Sequence, residues 1–265
     1  MESSRRQVVS DDGTEISYLV FAGVEPALVI LHGLAGSSRE FVATADAFVG
    51  RKIILIDQRG HGHSTRLPSD LSRAAFVSDA LRVIETESSV PIDLAGQSMG
   101  AHTAMLVASA RPDLVRKLVL LEGNEGTGSP DSNAAMGEYF RSWQVPFTTL
   151  EEARSVLGDG ALANAWIADL EDRGDGLYPR FDPDVMVATA DNVSVPRWVE
   201  WEGVSAPTLV LYADGGMFSE AQKEQFAERR AGVTRIDLTN ASHDAHLDAF
   251  DQWIDALSGF VAERK

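Results

Sequence analysis

Short aliphatic runs alternate with longer amphipathic stretches along the first half of the chain. Unbroken aliphatic runs are typical of parallel strands covered on both faces, and they occur at 27–31 and 52–56; a further strand pattern follows at 115–121. Apolar residues at helical spacing lie between them, at 39–48 and 73–87. Because strands and helices alternate, the pattern predicts a doubly wound parallel sheet with right-handed crossovers.

A hairpin pattern precedes this alternation of strands and helices, and a long irregular segment interrupts it further along the chain. Alternating segments at 7–9 and 15–21 flank an Asp-Gly turn, which predicts an antiparallel hairpin. From about 124 to 205 the chain is helical or irregular and rich in Asp, Glu and Gly. Strand and helix patterns then resume, at 207–212, 219–230, 234–238 and 247–262. We therefore predict one core from 1–123 and 206–265, with an inserted segment at 124–205.

The composition is that of a globular protein with a strong negative charge. The chain has 265 residues, 44% of them hydrophobic, and a formal net charge of −17. Long-range repulsion from this charge argues against binding to nucleic acid or to anionic membranes. The absence of cysteine excludes a disulfide framework, a thiolate metal site and a cysteine nucleophile. With a polar N-terminal segment and no apolar run of membrane-spanning length, we expect a cytoplasmic protein.

Ser98 lies between two glycines where a predicted strand gives way to a predicted helix. The string Gly96-Gln97-Ser98-Met99-Gly100 follows the short strand at 90–95 and opens an alanine-rich helix at 99–111. On such a sharp turn the flanking positions have no room for side chains, so both are glycine. Gly-x-Ser-x-Gly in this context is typical of a nucleophile elbow.

A serine nucleophile needs a general base within hydrogen-bond reach, and that base is usually histidine. Three of the six histidines stand in loops or turns beside glycine, and we expect them to support the backbone. These are His32, His61 and His63. His102 lies on the helix behind Ser98, where we expect packing or polar support. His243 and His246 share the segment between the last strand and the last helix, and they remain the candidates for the base.

The same two histidines do not predict a metal site. Their spacing lacks the glutamate and the four-residue separation of a zinc-protease helix, and no second ligand set accompanies them. A Gly-x-Gly-x-x-Ala string at 158–163 follows no apolar strand, so it does not predict a dinucleotide site. We expect no metal and no cofactor.

Three further strings accompany the elbow, and together they resemble those of the α/β-hydrolase fold family over nearly the full chain. They are His32-Gly33-Leu34-Ala35-Gly36-Ser37-Ser38, Asp57-Gln58-Arg59-Gly60-His61-Gly62-His63-Ser64 and Ser242-His243-Asp244-Ala245-His246-Leu247-Asp248. The resemblance implies a mostly parallel eight-stranded sheet flanked by helices, with the 124–205 segment as a helical lid after strand 6. It also implies a triad in the order nucleophile, acid, histidine, with Ser98 and His243 as its first and last members.

Two carboxylates compete for the acid of this triad. Asp214 follows the 207–212 strand by two residues and precedes Gly215-Gly216, in a loop at a strand end where catalytic groups collect. Glu122 ends the 117–121 strand, and some relatives carry the acid after that earlier strand. We predict Asp214 as the acid, with Glu122 as the alternative.

The remaining parts of the predicted site are an oxyanion hole and a substrate pocket. The resemblance implies backbone N–H donors at Leu34 and Met99. Aromatic side chains are expected to line a pocket for an apolar acyl or alcohol group. The residues we assign to substrate binding are Trp143, Phe147, Trp166 and Phe218. Because the 124–205 segment is strongly acidic, we expect a small neutral substrate. Separately, we expect the protein to be a monomer or homodimer.

Together these residues predict a serine hydrolase that cleaves a carboxylic ester or lactone through an acyl-enzyme. Carbon–carbon bond hydrolases and cofactor-free perhydrolases of the family use the same triad, so they remain alternatives. A non-catalytic small-molecule receptor is the alternative from another class. A serine at the elbow differs from the aspartate of epoxide hydrolases and haloalkane dehalogenases.

Overall fold

The computed structural model describes residues 2–262, and its main element is an eight-stranded sheet. In chain order the strands of this sheet are β1 (Ser3–Val9), β2 (Glu15–Phe21), β3 (Val24–Leu31), β4 (Arg51–Ile56), β5 (Ile92–Gln97), β6 (Val115–Leu121), β9 (Thr208–Gly215) and β10 (Val233–Ser242). Two short strands, β7 (Glu171–Asp172) and β8 (Leu177–Tyr178), form a separate antiparallel pair.

Eleven α-helices connect or cover these strands within the described residues. They are α1 (Val42–Ala47), α2 (Arg73–Glu87), α3 (Met99–Ala110), α4 (Pro130–Arg141), α5 (Leu150–Leu157), α6 (Ala161–Ala168), α7 (Pro183–Val193), α8 (Trp198–Gly203), α9 (Glu220–Glu228), α10 (Ala245–Asp248) and α11 (Phe250–Val261). No helix among residues 2–262 is long and apolar enough to cross a membrane.

The sheet has the strand order β1-β2-β4-β3-β5-β6-β9-β10. β2 runs antiparallel to both β1 and β4, and the other neighbours are parallel. The predicted hairpin and the mostly parallel eight-stranded sheet are therefore confirmed. Because β3, β5, β6 and β9 are adjacent and parallel, their carboxyl ends meet at one edge, where side chains from distant parts of the chain converge.

Helices cover both faces of the sheet, which explains the continuous apolar runs of its central strands. On β3, Val29 and Leu31 face the core that includes α2 and α3, whereas Leu28 and Ile30 face the core that includes α1 and α11. Alternate residues of one strand thus enter two different cores, so each central strand is apolar throughout.

Two predicted helices are shorter than expected. The 39–48 stretch begins as a 3-10 turn, Ser38–Phe41, before α1, and the final stretch divides into α10 and α11 at Ala249 (φ −124°, ψ 42°). The stacking of His246 in α10 on Phe41, with ring centroids 4.4 Å apart, joins the two interrupted regions. Burying this pair favours the breaks over two continuous amphipathic helices.

The 124–205 segment contains α4 to α8 and the β7–β8 pair. α7 packs against α4 and also reaches α3 of the core. The last helix, α8, packs against α3, and Trp201 stacks on Phe226 of α9 at 4.1 Å between centroids. The segment is therefore attached to the core through α7 and α8.

Candidate active site

Ser98 occupies the strained turn between β5 and α3. Its backbone has φ 53° and ψ −119°, a conformation that glycine adopts readily and other residues rarely do. A Cβ atom at Gly96 would lie 2.2 Å from the carbonyl oxygen of Gly100, and one at Gly100 would lie 2.2 Å from that of Leu31. Both glycines are therefore required for the close approach of helix and strand, and Ser98 is left half-buried at the sheet edge.

His243 follows β10 and is paired with a buried carboxylate. Its Nδ1 lies 3.1 Å from Oε2 of Glu122, which directly follows β6 and is 1% exposed. Glu122 also accepts hydrogen bonds from the backbone N–H groups of Ala213 at 2.8 Å and Met217 at 2.9 Å. Because a carboxylate only accepts, Nδ1 of His243 carries the proton and Nε2 is the nitrogen free of this pairing.

The structure does not bring the predicted acid, Asp214, to His243; the alternative acid, Glu122, lies there. Asp214 is exposed, and its carboxylate accepts from the backbone N–H groups of Asn240 at 2.9 Å and Ala241 at 3.1 Å. These bonds, with that from Ala241 first, lower the pKa of Asp214. The physical reason is that β9 continues through Gly215, so Asp214 lies within the strand, beside the irregular part of β10.

Gly216 provides the space that Glu122 occupies. A Cβ atom at this position would lie 2.3 Å from Oε1 of Glu122. A side chain after β9 and the Glu122 side chain after β6 therefore cannot both enter this volume without rearrangement. The absence of a side chain at position 216 is the sequence signal that could have favoured Glu122.

The loop after β3 lies against Ser98, as predicted for an oxyanion loop. A Cβ atom at Gly33 would lie 3.3 Å from Cβ of Ser98. His32 holds this loop, because its Nδ1 donates to the carbonyl of Gly33 at 2.7 Å while its Nε2 accepts from the N–H of Gln58 at 3.0 Å. Leu34 is half-buried in the loop, and Met99 is buried directly after Ser98.

Gln97 links the loops on either side of Ser98, a role that sequence reasoning missed. Its Nε2 donates to the carbonyl of His243 at 3.1 Å and lies 3.4 Å from Oδ1 of Asp244. Its Oε1 lies against Gly33, where an added Cβ would approach it to 2.1 Å. The only sequence signal is a buried-strand amide next to the nucleophile.

The second candidate base, His246, does not face the elbow. Its Nε2 lies 3.4 Å from Oε2 of Glu40, and both side chains are buried. Among residues 2–262 no group of three or more His, Cys, Asp and Glu side chains is placed to hold a metal ion.

The aromatic residues assigned to substrate binding fall into two places. Trp143 and Phe147 are buried in the apolar cluster of the 124–205 segment, and the Trp166 ring lies 5.0 Å from that of Trp143. Trp166 also donates from Nε1 to the carbonyl of Ala35 at 3.0 Å, which attaches this cluster to the loop after β3. Phe218 instead packs edge-on against Tyr212 of β9, with centroids 5.7 Å apart.

Comparison with known proteins gives concordant results. Residues 26–144 match the family model described as alpha/beta hydrolase fold. The chain is 31% identical over 254 residues to the mouse (Mus musculus) "sn-1-specific diacylglycerol lipase ABHD11", covering 89% of this chain and 81% of that protein. The crystal structure of E-2-(acetamidomethylene)succinate hydrolase aligns with TM-score 0.87 at 20% identity, over 98% of this chain and 99% of the other. An enol-lactonase from Burkholderia xenovorans LB400 aligns with TM-score 0.79 at 19% identity, over 97% and 100%.

Proposed function

The chain is an enzyme of the α/β-hydrolase fold family, and from this premise we propose that it is a serine hydrolase that cleaves a carboxylic ester or lactone. The observation that supports this most directly is the 3.1 Å pairing of His243 with Glu122, on a loop that Gln97 ties to the strand bearing Ser98. In this proposal Ser98 is the nucleophile, His243 the base and Glu122 the acid.

Acylation begins when Ser98 Oγ attacks the substrate carbonyl carbon and its proton passes to Nε2 of His243. The backbone N–H groups of Leu34 and Met99 stabilise the resulting oxyanion. As the bond from the carbonyl carbon to the leaving oxygen breaks, His243 returns the proton to that oxygen. An alcohol departs, or the opened lactone remains attached as an acyl group.

Deacylation repeats these steps with water. His243 takes a proton from water as the water oxygen attacks the acyl carbon, and it returns a proton to Ser98 Oγ as the acyl bond breaks. In both halves the Glu122 carboxylate stabilises the imidazolium and holds the ring with Nε2 towards the reaction. In this proposal the strained turn after β5 serves to present Ser98 Oγ to that nitrogen.

An ester is the bond we favour because the mouse relative is named as a lipase of diacylglycerol, an ester lipid. The 124–205 segment would act as the lid, and its cluster of Trp143, Phe147 and Trp166 would shelter the apolar part of the substrate. Expelling water from this space strengthens the electrostatic interactions at the carbonyl.

The test is covalent labelling by a fluorophosphonate probe, read by mass spectrometry of the labelled peptide, together with turnover of p-nitrophenyl esters and lactones. We expect one adduct on Ser98, and loss of both adduct and turnover in Ser98→Ala. The control Ser155→Ala removes an exposed serine of α5 and should change neither. Turnover that persists in Ser98→Ala, or a folded wild-type protein without an adduct, would contradict the proposal.

A further inference from the structure

A buried arginine without an acidic partner lies behind the nucleophile. Arg73 is the first residue of α2 and is 3% exposed. Its Nη2 donates to Oγ1 of Thr103 in α3, which fixes one end of the guanidinium. Nε and Nη1 have no hydrogen-bond partner among residues 2–262. The guanidinium carbon also lies 4.5 Å from the centroid of the Phe76 ring, but this cation–π contact leaves Nε and Nη1 without an acceptor, and buried guanidinium nitrogens normally have one.

His102 adds a second unsatisfied polar group to the same region. It is 2% exposed and lies beside the backbone of Glu125, but within the described part of the chain neither ring nitrogen makes a hydrogen bond of ordinary geometry. Burial, followed by the positive charges of Arg73 and Arg197, lowers the pKa of His102 well below its usual value. The ring is therefore neutral and can donate one N–H to an anion.

These groups are close to the reacting serine. The backbone N–H of His102 donates to the carbonyl of Ser98 at 3.0 Å, so the two residues are one helical turn apart. Thr103, which anchors Arg73, donates to the carbonyl of Met99 at 3.0 Å. Arg73 therefore lies beside the second turn of α3, at a residue about 7.5 Å along the helix axis from the nucleophile.

The local charge is positive although the whole chain is strongly negative. Burial and then the charge of Arg197 lower the pKa of Arg73 to about 9, which leaves the guanidinium charged at neutral pH. Arg197 has a buried Nε that no described residue pairs with, and its Nη1 lies 3.3 Å from Glu200. The Phe76 ring and Thr103 offset part of the cost of burying the Arg73 cation, and a bound anion would offset more of it.

We propose that Arg73, assisted by His102, binds a carboxylate on the acyl side of the substrate. Resting on the proposed function, this assigns as substrates the monoesters of short dicarboxylic acids, or lactones that carry a carboxylate. The fork of Nε and Nη1 suits two carboxylate oxygens, and a rise of about 7.5 Å accommodates a glutarate-sized acyl group together with its contact to the guanidinium. The net charge of −17 slows the encounter of such an anion, but the bound carboxylate interacts with the nearby guanidinium.

The kinetic test compares monoethyl glutarate, which has a free carboxylate, with diethyl glutarate, in which it is blocked. We expect the wild-type ratio of kcat/KM, monoester over diester, to fall about 100-fold in Arg73→Met. The control Arg82→Met removes an exposed arginine of the same helix, paired with Asp11, and should leave the ratio unchanged. An unchanged ratio in Arg73→Met overturns the proposal.

A binding test separates this inference from the proposed chemistry. Glutarate should raise the melting temperature of Ser98→Ala, whereas uncharged glutaramide should not, and the glutarate effect should be lost in Ser98→Ala/Arg73→Met. No effect of glutarate on Ser98→Ala refutes the carboxylate site even if Arg73→Met fails to fold. If glutarate stabilises the protein but Ser98 is not labelled by a fluorophosphonate, the carboxylate site stands and the serine mechanism fails.

Discussion

Replacing Glu122 by glutamine removes the negative charge beside His243 while keeping the size of the side chain. In the proposed mechanism His243 becomes positively charged in the transition state and is neutral before it. The carboxylate therefore stabilises the transition state more than the ground state, so its removal lowers kcat. An amide could also present its NH₂ group to Nδ1 and favour the wrong tautomer of the ring.

The magnitude follows from the distance between the two groups. At 3.1 Å, two unit charges in an effective dielectric constant of about 20 interact by about 5 kcal/mol. Each 1.36 kcal/mol corresponds to about a tenfold change in rate, so this interaction sets an upper limit of about 10⁴-fold. Since neutral His243 also gains a hydrogen bond to Glu122 in the ground state, we expect kcat to fall about 10³- to 10⁴-fold in Glu122→Gln.

Asp214→Asn is the matched comparison, because it makes the same change at the carboxylate that lies away from His243. It should lower kcat less than about tenfold, since it weakens only the bonds to Asn240 and Ala241. Stopped-flow or steady-state hydrolysis of a p-nitrophenyl ester measures both variants, with circular dichroism as the check on folding. If Asp214→Asn is the crippled variant and Glu122→Gln is active, the acid of this site is misassigned.

Two further predictions concern strain and pH. Ser98→Gly should lose turnover but stabilise the protein by about 1–3 kcal/mol, because glycine adopts a φ of 53° without strain. Calorimetry measures this stability, and a melting temperature equal to that of Ser98→Ala would show that the elbow is unstrained. Burial is the largest cause that raises the pKa of Asp169 above its ordinary value. The folded state therefore binds this proton more tightly, and stability is lost as the pH rises through the folded pKa. Asp169→Asn removes that loss, so its gain in melting temperature should be larger at pH 7 than at pH 4, and an equal gain at both would contradict this reasoning.

The sheet and the elbow could be predicted because the signals are local. The apolar runs of β3, β4 and β6 reflect burial on both faces of the sheet, and α2 was predicted with the observed bounds. The Gly-x-Ser-x-Gly string spans only five residues, so it can be recognised from the sequence. The backbone that excludes a side chain at Gly100 is that of Leu31 on β3, which the sequence alone does not identify.

The acid could not be assigned in the same way. Gly215-Gly216 reads as a loop, but pairing of Gly215 with Ser242 extends β9 and carries Asp214 away from the base. Arg73 likewise reads as an ordinary first residue of a helix. Its burial depends on packing between parts of the molecule that are distant in sequence, so its lack of an acidic partner is visible only in three dimensions.

The contact between Gly216 and Glu122 means that two distant sequence positions share one volume. β6 and β9 are hydrogen-bonded neighbours, so a carboxylate from either strand end could reach the same imidazole. Variation at one position is therefore constrained by the residue at the other. Saturation mutagenesis of either position alone will make that position appear intolerant of substitution. A combinatorial library that varies 122 and 216 together would reveal functional pairs that single-site scans of this enzyme discard.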